Sequence, residues 1–273
     1  MARRGAAILC AVMVFLSLAG FGQAEEIKVV ITGQTFGALY PCLCPKEPDG
    51  GMARRATAIQ TIRDASKNVL LLEAGLSFAS GSQDQYTQGA ELDRRRTEFY
   101  LKAMTYLNYD ALLVSSQELA FGDEFLRKTK IPFVSSNTEG LGLPYIIKEM
   151  AGLKIGILGV TDSLVESRAG LAWRLPGEAI SRLAADLRSQ GVSYIIVLGA
   201  MTPQETRDFL GEVQGVDLYG DGGISFGTEM SRQEKGILVV STWWQAKKIG
   251  VLTLETAEGK LVAKDFSSVA LTP

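Results

Sequence analysis

Apolar residues fall into short continuous runs, separated by stretches where they recur every three or four positions. The runs Ile27–Thr32 (IKVVIT), Asn68–Glu73 (NVLLLE), Tyr109–Ser115 (YDALLVS), Lys154–Gly159 (KIGILG) and Ser193–Leu198 (SYIIVL) are strand-like. Most show no polar alternation, as in strands covered on both faces. Between them, Met52–Ala65 places Ala56, Ile59 and Ile62 on one helical face, and Glu91–Leu107 is helical too. A short helix is predicted over Phe121–Lys128, short strands over Pro132–Ser135 and Val216–Tyr219, and a helix over Pro203–Val213. Pro176 opens a helix at its favoured first turn, and Gly191 closes it after Gln190. Tyr145–Met150 and Lys154–Gly159 read as a hairpin about Ala151-Gly152, and the tail holds β-runs at Gly236–Ser241, Ile249–Glu255 and Leu261–Phe266. Alternation of this kind predicts an α/β domain with sheet inside and helices outside, and the hairpin and tail make the sheets mixed. No repeat or low-complexity tract divides residues 25–273, which read as one domain.

The first residues follow another pattern. Arg3 and Arg4 precede an apolar run from Ala6 to Phe21, then Gly22-Gln23-Ala24 and the acidic pair Glu25-Glu26. This predicts a signal peptide over residues 1–24, of bacterial type, and a periplasmic or secreted mature protein. The run is shorter than the ~20 residues that span a bilayer. The alternative is an uncleaved anchor; on the signal-peptide reading the membrane is met only before cleavage. Cleavage removes Cys10 and leaves Cys42 and Cys44 in a compartment where a disulfide persists.

Of 273 residues, 47% are hydrophobic and 21% charged, a globular composition. The 28 basic and 30 acidic residues give a formal charge of −2, so there is no basic footprint for nucleic acid. The chain has no histidine. That excludes the Ser-His-Asp triad, the Cys-His pair, His-ligated zinc and the CxxCH haem site. Chemistry is left to carboxylates, thiols, hydroxyls, Lys, Arg or backbone.

Ligands of open α/β sheets sit beyond the carboxyl ends of the strands. The loops there are 33–36, 74–77, 115–120, 199–202 and 220–226, and their main carboxylates are Glu118 and Asp221. Lone carboxylates in polar loops usually cap or stay solvated. Arg94-Arg95-Arg96 reads as a solvated helix face. Of Trp243-Trp244, one is expected to face the core and the other outward.

These segments resemble the catalytic domain of the secreted 5′-nucleotidases, within the calcineurin-like metallophosphoesterases. Gly50-Gly51-Met52-Ala53-Arg54-Arg55-Ala56-Thr57 is similar to the family's GGLARRAT helix start, and Val69–Gly75 to its VLLLDAGD strand and turn. Tyr109-Asp110-Ala111 and Gly122 bracket the segment that resembles GYDA…GNHEFDYG. Residues 132–137, 144–149, 154–159, 194–198 and 215–218 follow the family in order. The resemblance covers nearly all of the mature chain and implies a four-layer α/β/β/α sandwich with mixed sheets. It also implies a two-metal phosphoester hydrolase, but the ligand positions differ. The family's T-N-D-T-H-G motif is Thr32-Gly33-Gln34-Thr35-Phe36-Gly37, placing Gln34 and Phe36 at the Asp and His. Leu76 stands at the bridging Asp, Ser116 and Gln117 at the Asn and catalytic His of GNHE, and Ala200 at a later His. The GGHTH pair falls at Gly223 and Ser225, while Glu118 keeps the family's Glu. Clamping two cations and activating water takes hard carboxylates and imidazoles, so no metal and no other cofactor is expected.

What the chain adds is Tyr40-Pro41-Cys42-Leu43-Cys44-Pro45, in the loop that the resemblance puts at the old active-site mouth. Two cysteines one residue apart can bridge only at the limit of disulfide geometry, and strained bridges are labile. Pro41 and Pro45 stiffen the flanks. The helix start at Gly50-Gly51, with Arg54 and Arg55, can lower a thiol pKa where it faces inward. Three readings stand: a redox-active thiol pair, soft-metal capture by two thiolates, and a structural disulfide, which in so short a loop restrains little chain entropy. The motif also resembles a branch of nucleotidase-like (seleno)proteins in which such a loop carries selenocysteine.

The expected function is thus an exported phosphatase-fold protein without its metal site, redox-active at Cys42 and Cys44. Its partner is an unknown small molecule or a thiol/disulfide protein, with Glu118, Asn137, Arg54 and Arg55 as candidate pocket residues. The alternatives are a non-catalytic binding or scaffold module and, last, a retained phosphoesterase.

Overall fold

Strands buried along their whole length need cover on both faces, and the fold supplies it with two sheets and two helical layers. A computed structural model describes residues 24–46, 48–79, 87, 89–169, 171–224 and 230–273. The expected signal peptide, Ala24 apart, and Ser225 lie outside the described residues.

The first sheet holds β1 (Glu26–Thr32), β2 (Val69–Glu73), β3 (Ala111–Leu113) and β4 (Phe133–Val134), with β11 (Lys248–Ala257) and β12 (Lys260–Ala270). Its order is β12-β11-β1-β2-β3-β4; β1 to β4 run parallel, while β11 pairs antiparallel with both β1 and β12. The second sheet holds β5 (Ile146–Met150), β6 (Leu153–Thr161), β7 (Val192–Ala200), β8 (Leu218–Asp221), β9 (Ser231–Glu234) and β10 (Ile237–Ser241). Its order is β5-β6-β7-β8-β10-β9, with antiparallel pairs only at its two ends.

The period of two sorts the side chains into layers. Ile27, Val29 and Ile31 of β1 and Leu70 and Leu72 of β2 pack with Ile155, Ile157, Ile196 and Leu198 of the other sheet. Between them, Val30 and Leu71 turn outward onto α1 (Met52–Ala65) and α2 (Ala90–Tyr106), through Met52, Ile59, Tyr100 and Met104. Leu158, Val160, Ile195 and Val197 do the same against α5 (Pro176–Ser189) and α6 (Pro203–Glu212), through Ile180, Leu187 and Phe209. This is the expected four-layer sandwich with mixed sheets.

Some local readings change. The helix expected over Phe121–Lys128 is one turn, α3 (Glu124–Arg127), because Gly122 at φ +85° breaks the chain before it. Two elements carry no apolar signal long enough to read: α4 (Leu164–Ala169), one and a half turns, and β9, whose sequence is SRQE. No helix among the described residues is long and apolar enough to cross a membrane.

Candidate functional site

Two places gather the residues that the sequence singled out. The first is a corner built by the loop between β1 and α1. Backbone bonds hold it: Cys42 N–H donates to the Asp49 carbonyl at 2.9 Å, Met52 N–H to Leu39 at 3.0 Å, and Gly50 N–H to Leu271 at 2.8 Å. Gly51 caps α1 at φ +91°, and a Cβ there would lie 2.8 Å from the Pro41 nitrogen, so only glycine lets the cysteine loop rest on the helix start. Cys42 is 4% exposed and Cys44 half-buried, and neither is in a disulfide. Lys247 brings its ammonium to 3.7 Å from Cys44 Sγ.

Burial alone would push the Cys42 thiol up. The hydrogen bonds it accepts from the Cys44 thiol and backbone N–H, with the Lys247 ammonium, outweigh burial and bring it below its ordinary value. Cys44 moves the opposite way, because its proton is held toward Cys42 and burial adds to the effect against the pull of Lys247. Lys247 is raised despite its own partial burial, by its bonds and charge interactions with both thiols. The pair therefore has a direction: Cys42 is the more acidic thiol and Cys44 the one that keeps its proton.

Lys247 was not among the sequence candidates. It lies 203 positions from Cys44, and no local spacing joins them. The arginines expected to act here do something else. Arg54 donates to the Pro48 carbonyl and, at 3.4 Å, to the Leu271 carbonyl, stapling the loop. Arg55 is fully buried, with Nη1 donating to Tyr100 Oη at 2.7 Å. Tyr100 in turn donates to Thr35 at 2.6 Å, and Thr35 to Glu73 at 3.2 Å. Glu73, read as the end of an apolar strand, is thus the acceptor hub under the loops, also taking Thr32 Oγ1 and Ser77 Oγ. Burial raises its pKa against the pull of the Arg55 charge.

The second place is a cleft of about 800 Å³ at the carboxyl ends of both sheets. Leu76, Ser116, Gln117, Ala200 and Gly223 line it, four positions that the resemblance assigns to metal ligands and, at Gln117, the one it assigns to the catalytic His. Among the described residues its lining carboxylates are Asp162 and Glu205, and no cationic side chain lines it. Asp162 accepts from Ser116 Oγ at 3.0 Å and Leu164 N–H at 2.9 Å, while Glu205 closes the capping box of α6 with Thr202. Leu76, Ala200 and Gly223 have no donor atom, and Ser116 and Gln117 offer only neutral ones. This set does not fit a pair of hard cations. Among the described residues no three Cys, Asp or Glu side chains are grouped to hold a metal.

The other candidates stand behind these walls. Gln34 is fully buried and gives its amide to Thr242, to O at 3.0 Å and Oγ1 at 2.9 Å. Phe36 does not line the cleft; its ring packs on Trp244 with centroids 4.8 Å apart. The neighbouring Trp243 instead carries the Lys248 ammonium 4.0 Å over its ring. Glu118 is buried rather than solvated: it accepts Ser77 N–H at 2.6 Å, Ser115 N–H at 2.9 Å and the Ser115 hydroxyl, and burial raises its pKa to about 7. Asp221 is buried too and raised to about 6 by desolvation. Asn137 ties Thr161 N–H at 2.9 Å and the Thr161 and Arg174 carbonyls at 3.0 and 3.2 Å. None of Glu118, Asn137, Arg54 and Arg55 lines the cleft, and neither cysteine does. The cysteine loop, expected at the cleft's mouth, forms a corner of its own.

Backbone conformation marks the old loops. Gln34, Phe36 and Leu76 all have positive φ, 52°, 47° and 54°, costly for residues with a Cβ and held by Gln34 N–H on the Gly75 carbonyl and Phe36 N–H on that of Leu76, both at 3.0 Å.

A snake venom 5′-nucleotidase from Naja atra is 33% identical over 192 residues, covering 63% of this chain and 35% of that protein. Over that stretch the chain is similar to the 5′-nucleotidases. The family's fold is matched by the crystal structure of a 5′-nucleotidase precursor from Thermus thermophilus, at TM-score 0.73 and 24% identity over 91% of this chain and 55% of that one. A calcineurin-like phosphoesterase from Bacillus subtilis matches at TM-score 0.71 and 18% identity, over 92% of this chain and 91% of that one. No family profile matches. The chain spans about a third of the length of the venom 5′-nucleotidase.

Proposed function

We propose that this chain, similar to the 5′-nucleotidases, is an exported protein whose dinuclear site has been dismantled and whose chemistry is thiol redox at Cys42 and Cys44. The observation that carries the redox reading is the corner itself: two reduced thiols one residue apart, polarised against each other, with the Lys247 ammonium 3.7 Å from Cys44 Sγ. A purely structural cysteine pair needs no such cation. Loss of the metal site is supported by the neutral and apolar side chains at the ligand positions of the cleft. Export is supported by the leader-like pattern of residues 1–24 and by a relative that is a venom protein.

Equilibration in glutathione buffers of graded potential, followed by thiol alkylation and mass measurement, tests this. A single two-electron transition that forms one intramolecular disulfide is expected, and Cys42→Ser or Cys44→Ser abolishes it. Two thiols that stay alkylatable across the whole range sink the proposal. In parallel, AMP with Mn²⁺ or Zn²⁺ releases no phosphate above a blank; turnover there would restore the metal site.

The cleft favours a second reading, a binding module. Its carboxylates and lack of cations repel phosphate and suit a neutral or amine-bearing small molecule. If that is the whole function, the double cysteine variant binds unchanged and costs only stability.

A further inference from the structure

Resting on the thiol reading above, we infer that the oxidant is a small hydroperoxide and that Lys247 is the proton donor to its leaving oxygen.

Size comes from exposure. Cys42, the more acidic thiol, is only 4% exposed, while its neighbour Cys44 is half-buried. Displacement at sulfur needs the attacked atom to come in line with the thiolate. A folded protein's disulfide cannot bring its sulfur to a side chain so covered, whereas the terminal oxygen of a hydroperoxide can. The exposed apolar side chains beside the pair are Tyr40 and Leu43, and the exposed Lys46 follows two positions after Cys44.

The proton comes from geometry. Lys247 has three N–H bonds and two thiols beside it, which leaves one for a substrate atom. The proton on Cys44 is the one that leaves with water in the second step. The chain lacks histidine, Arg54 is committed to the Pro48 and Leu271 carbonyls, and Asp49 meets the loop through its backbone carbonyl. The fold also holds Lys247 where it is. The residues before it, Gln245 and Ala246, are both left-handed, at φ 53° and 44°. Strain at two consecutive non-glycine residues persists only when the surroundings hold it. Here Phe36 packs on Trp244, Gln34 bonds Thr242, and the Lys247 carbonyl accepts Leu271 N–H at 2.8 Å. A Cβ on Gly50 would meet Lys247 Cγ at 3.4 Å, so a glycine leaves the lysine its path.

The cycle balances. Cys42 S⁻ attacks the terminal oxygen of ROOH; the O–O bond breaks, the S–O bond forms, and RO⁻ takes a proton from the Lys247 ammonium to leave as ROH. Cys42 is oxidised by two electrons to the sulfenic acid. Cys44 sulfur then attacks Cys42 Sγ, the S–O bond breaks, and hydroxide leaves as water with the Cys44 proton. Lys247 regains its proton from solvent. An external dithiol returns two electrons and two protons to the disulfide and becomes a disulfide itself.

The test mixes the reduced full chain with hydrogen peroxide or with glutathione disulfide and follows loss of alkylatable thiols. Peroxide is expected to react about 100-fold faster than it does with free cysteine at the same pH, general acid catalysis supplying the gain, and faster than glutathione disulfide does. In Cys44→Ser, dimedone is expected to trap the sulfenic acid on Cys42. Lys247→Met raises the pH midpoint of Cys42 alkylation and slows peroxide. Lys247→Arg keeps a charge but holds its proton too tightly to give it. It is expected to keep the alkylation midpoint and still lose roughly 10-fold in peroxide rate. An arginine variant as fast as wild type overturns the proton-donor role. Faster reaction with glutathione disulfide overturns the hydroperoxide and leaves the thiol reading standing. Reaction with neither removes both.

Discussion

The corner at Gln34 and Phe36 and the thiol corner sit on the same first loop and have opposite characters. At Gln34 and Phe36 the side chains are buried and engaged: an amide on Thr242, a ring on Trp244. At Cys42, Cys44 and Lys247 three titratable groups meet beside solvent and shift one another's protons. The difference teaches that the first metal motif of the resemblance is not a hole in this chain. Two of its positions, Gln34 and Phe36, are packing, and that packing holds the segment Thr242–Trp244, which leads into the turn carrying Lys247. The positions that remain open, Leu76, Ser116, Gln117, Ala200 and Gly223, line a cleft with no cation to recognise phosphate.

The sharpest way to break this contrast is Phe36→Ala. If Phe36 is now core, truncation costs about 3–5 kcal/mol in urea unfolding. It also loosens Trp244, so the Cys42 alkylation midpoint rises in the same variant. Cys44→Ser, in the exposed corner, is expected to cost under ~1 kcal/mol. Similar losses for both would erase the distinction.

A smaller effect concerns Glu118. Its folded pKa near 7 exceeds that of an unfolded glutamate, so the folded state holds the extra proton between about pH 4.5 and 7. The stability tied to this group is full below that window and is lost as pH rises through it. Glu118→Gln is expected to flatten the pH dependence of urea midpoints there, by about 1–3 kcal/mol across the window. An unchanged slope would show the carboxylate already ionised by its three donors.

Smallest is Leu76→Asn. Leu76 is half-buried in the cleft wall at φ +54°. Asparagine tolerates that region better, and a gain of about 0.5 kcal/mol, offset by lost apolar burial, is expected in thermal unfolding. A loss above ~1 kcal/mol would make Leu76 a packing residue like Phe36, not a cleft wall.

Much of the fold was legible because runs such as NVLLLE and SYIIVL are too apolar for anything but a strand covered on both faces. The exceptions were short or polar. SRQE pairs as an edge strand with no apolar side chain of its own, and Gly122 cut the helix expected at Phe121–Lys128 to one turn. The cleft positions were legible by resemblance, residue by residue. Glu73 was not, since an acid ending an apolar strand looks like a strand end until Thr32, Thr35 and Ser77 are seen around it. Arg54 and Arg55 were read toward the thiols because they share a helix start with them, yet one staples carbonyls and the other lies buried against Tyr100.

The sequence by itself determined the alternation of strands and helices, the absence of imidazole chemistry and the presence of two thiols one residue apart. Each of these is a property of composition or of local periodicity. Only the tertiary structure decided which thiol is the more acidic and what makes it so. Lys247 reaches Cys44 across 203 positions, through β11 pairing beside β1 and a turn held left-handed by packing. A charge acts through distance in space, and sequence spacing does not record that distance.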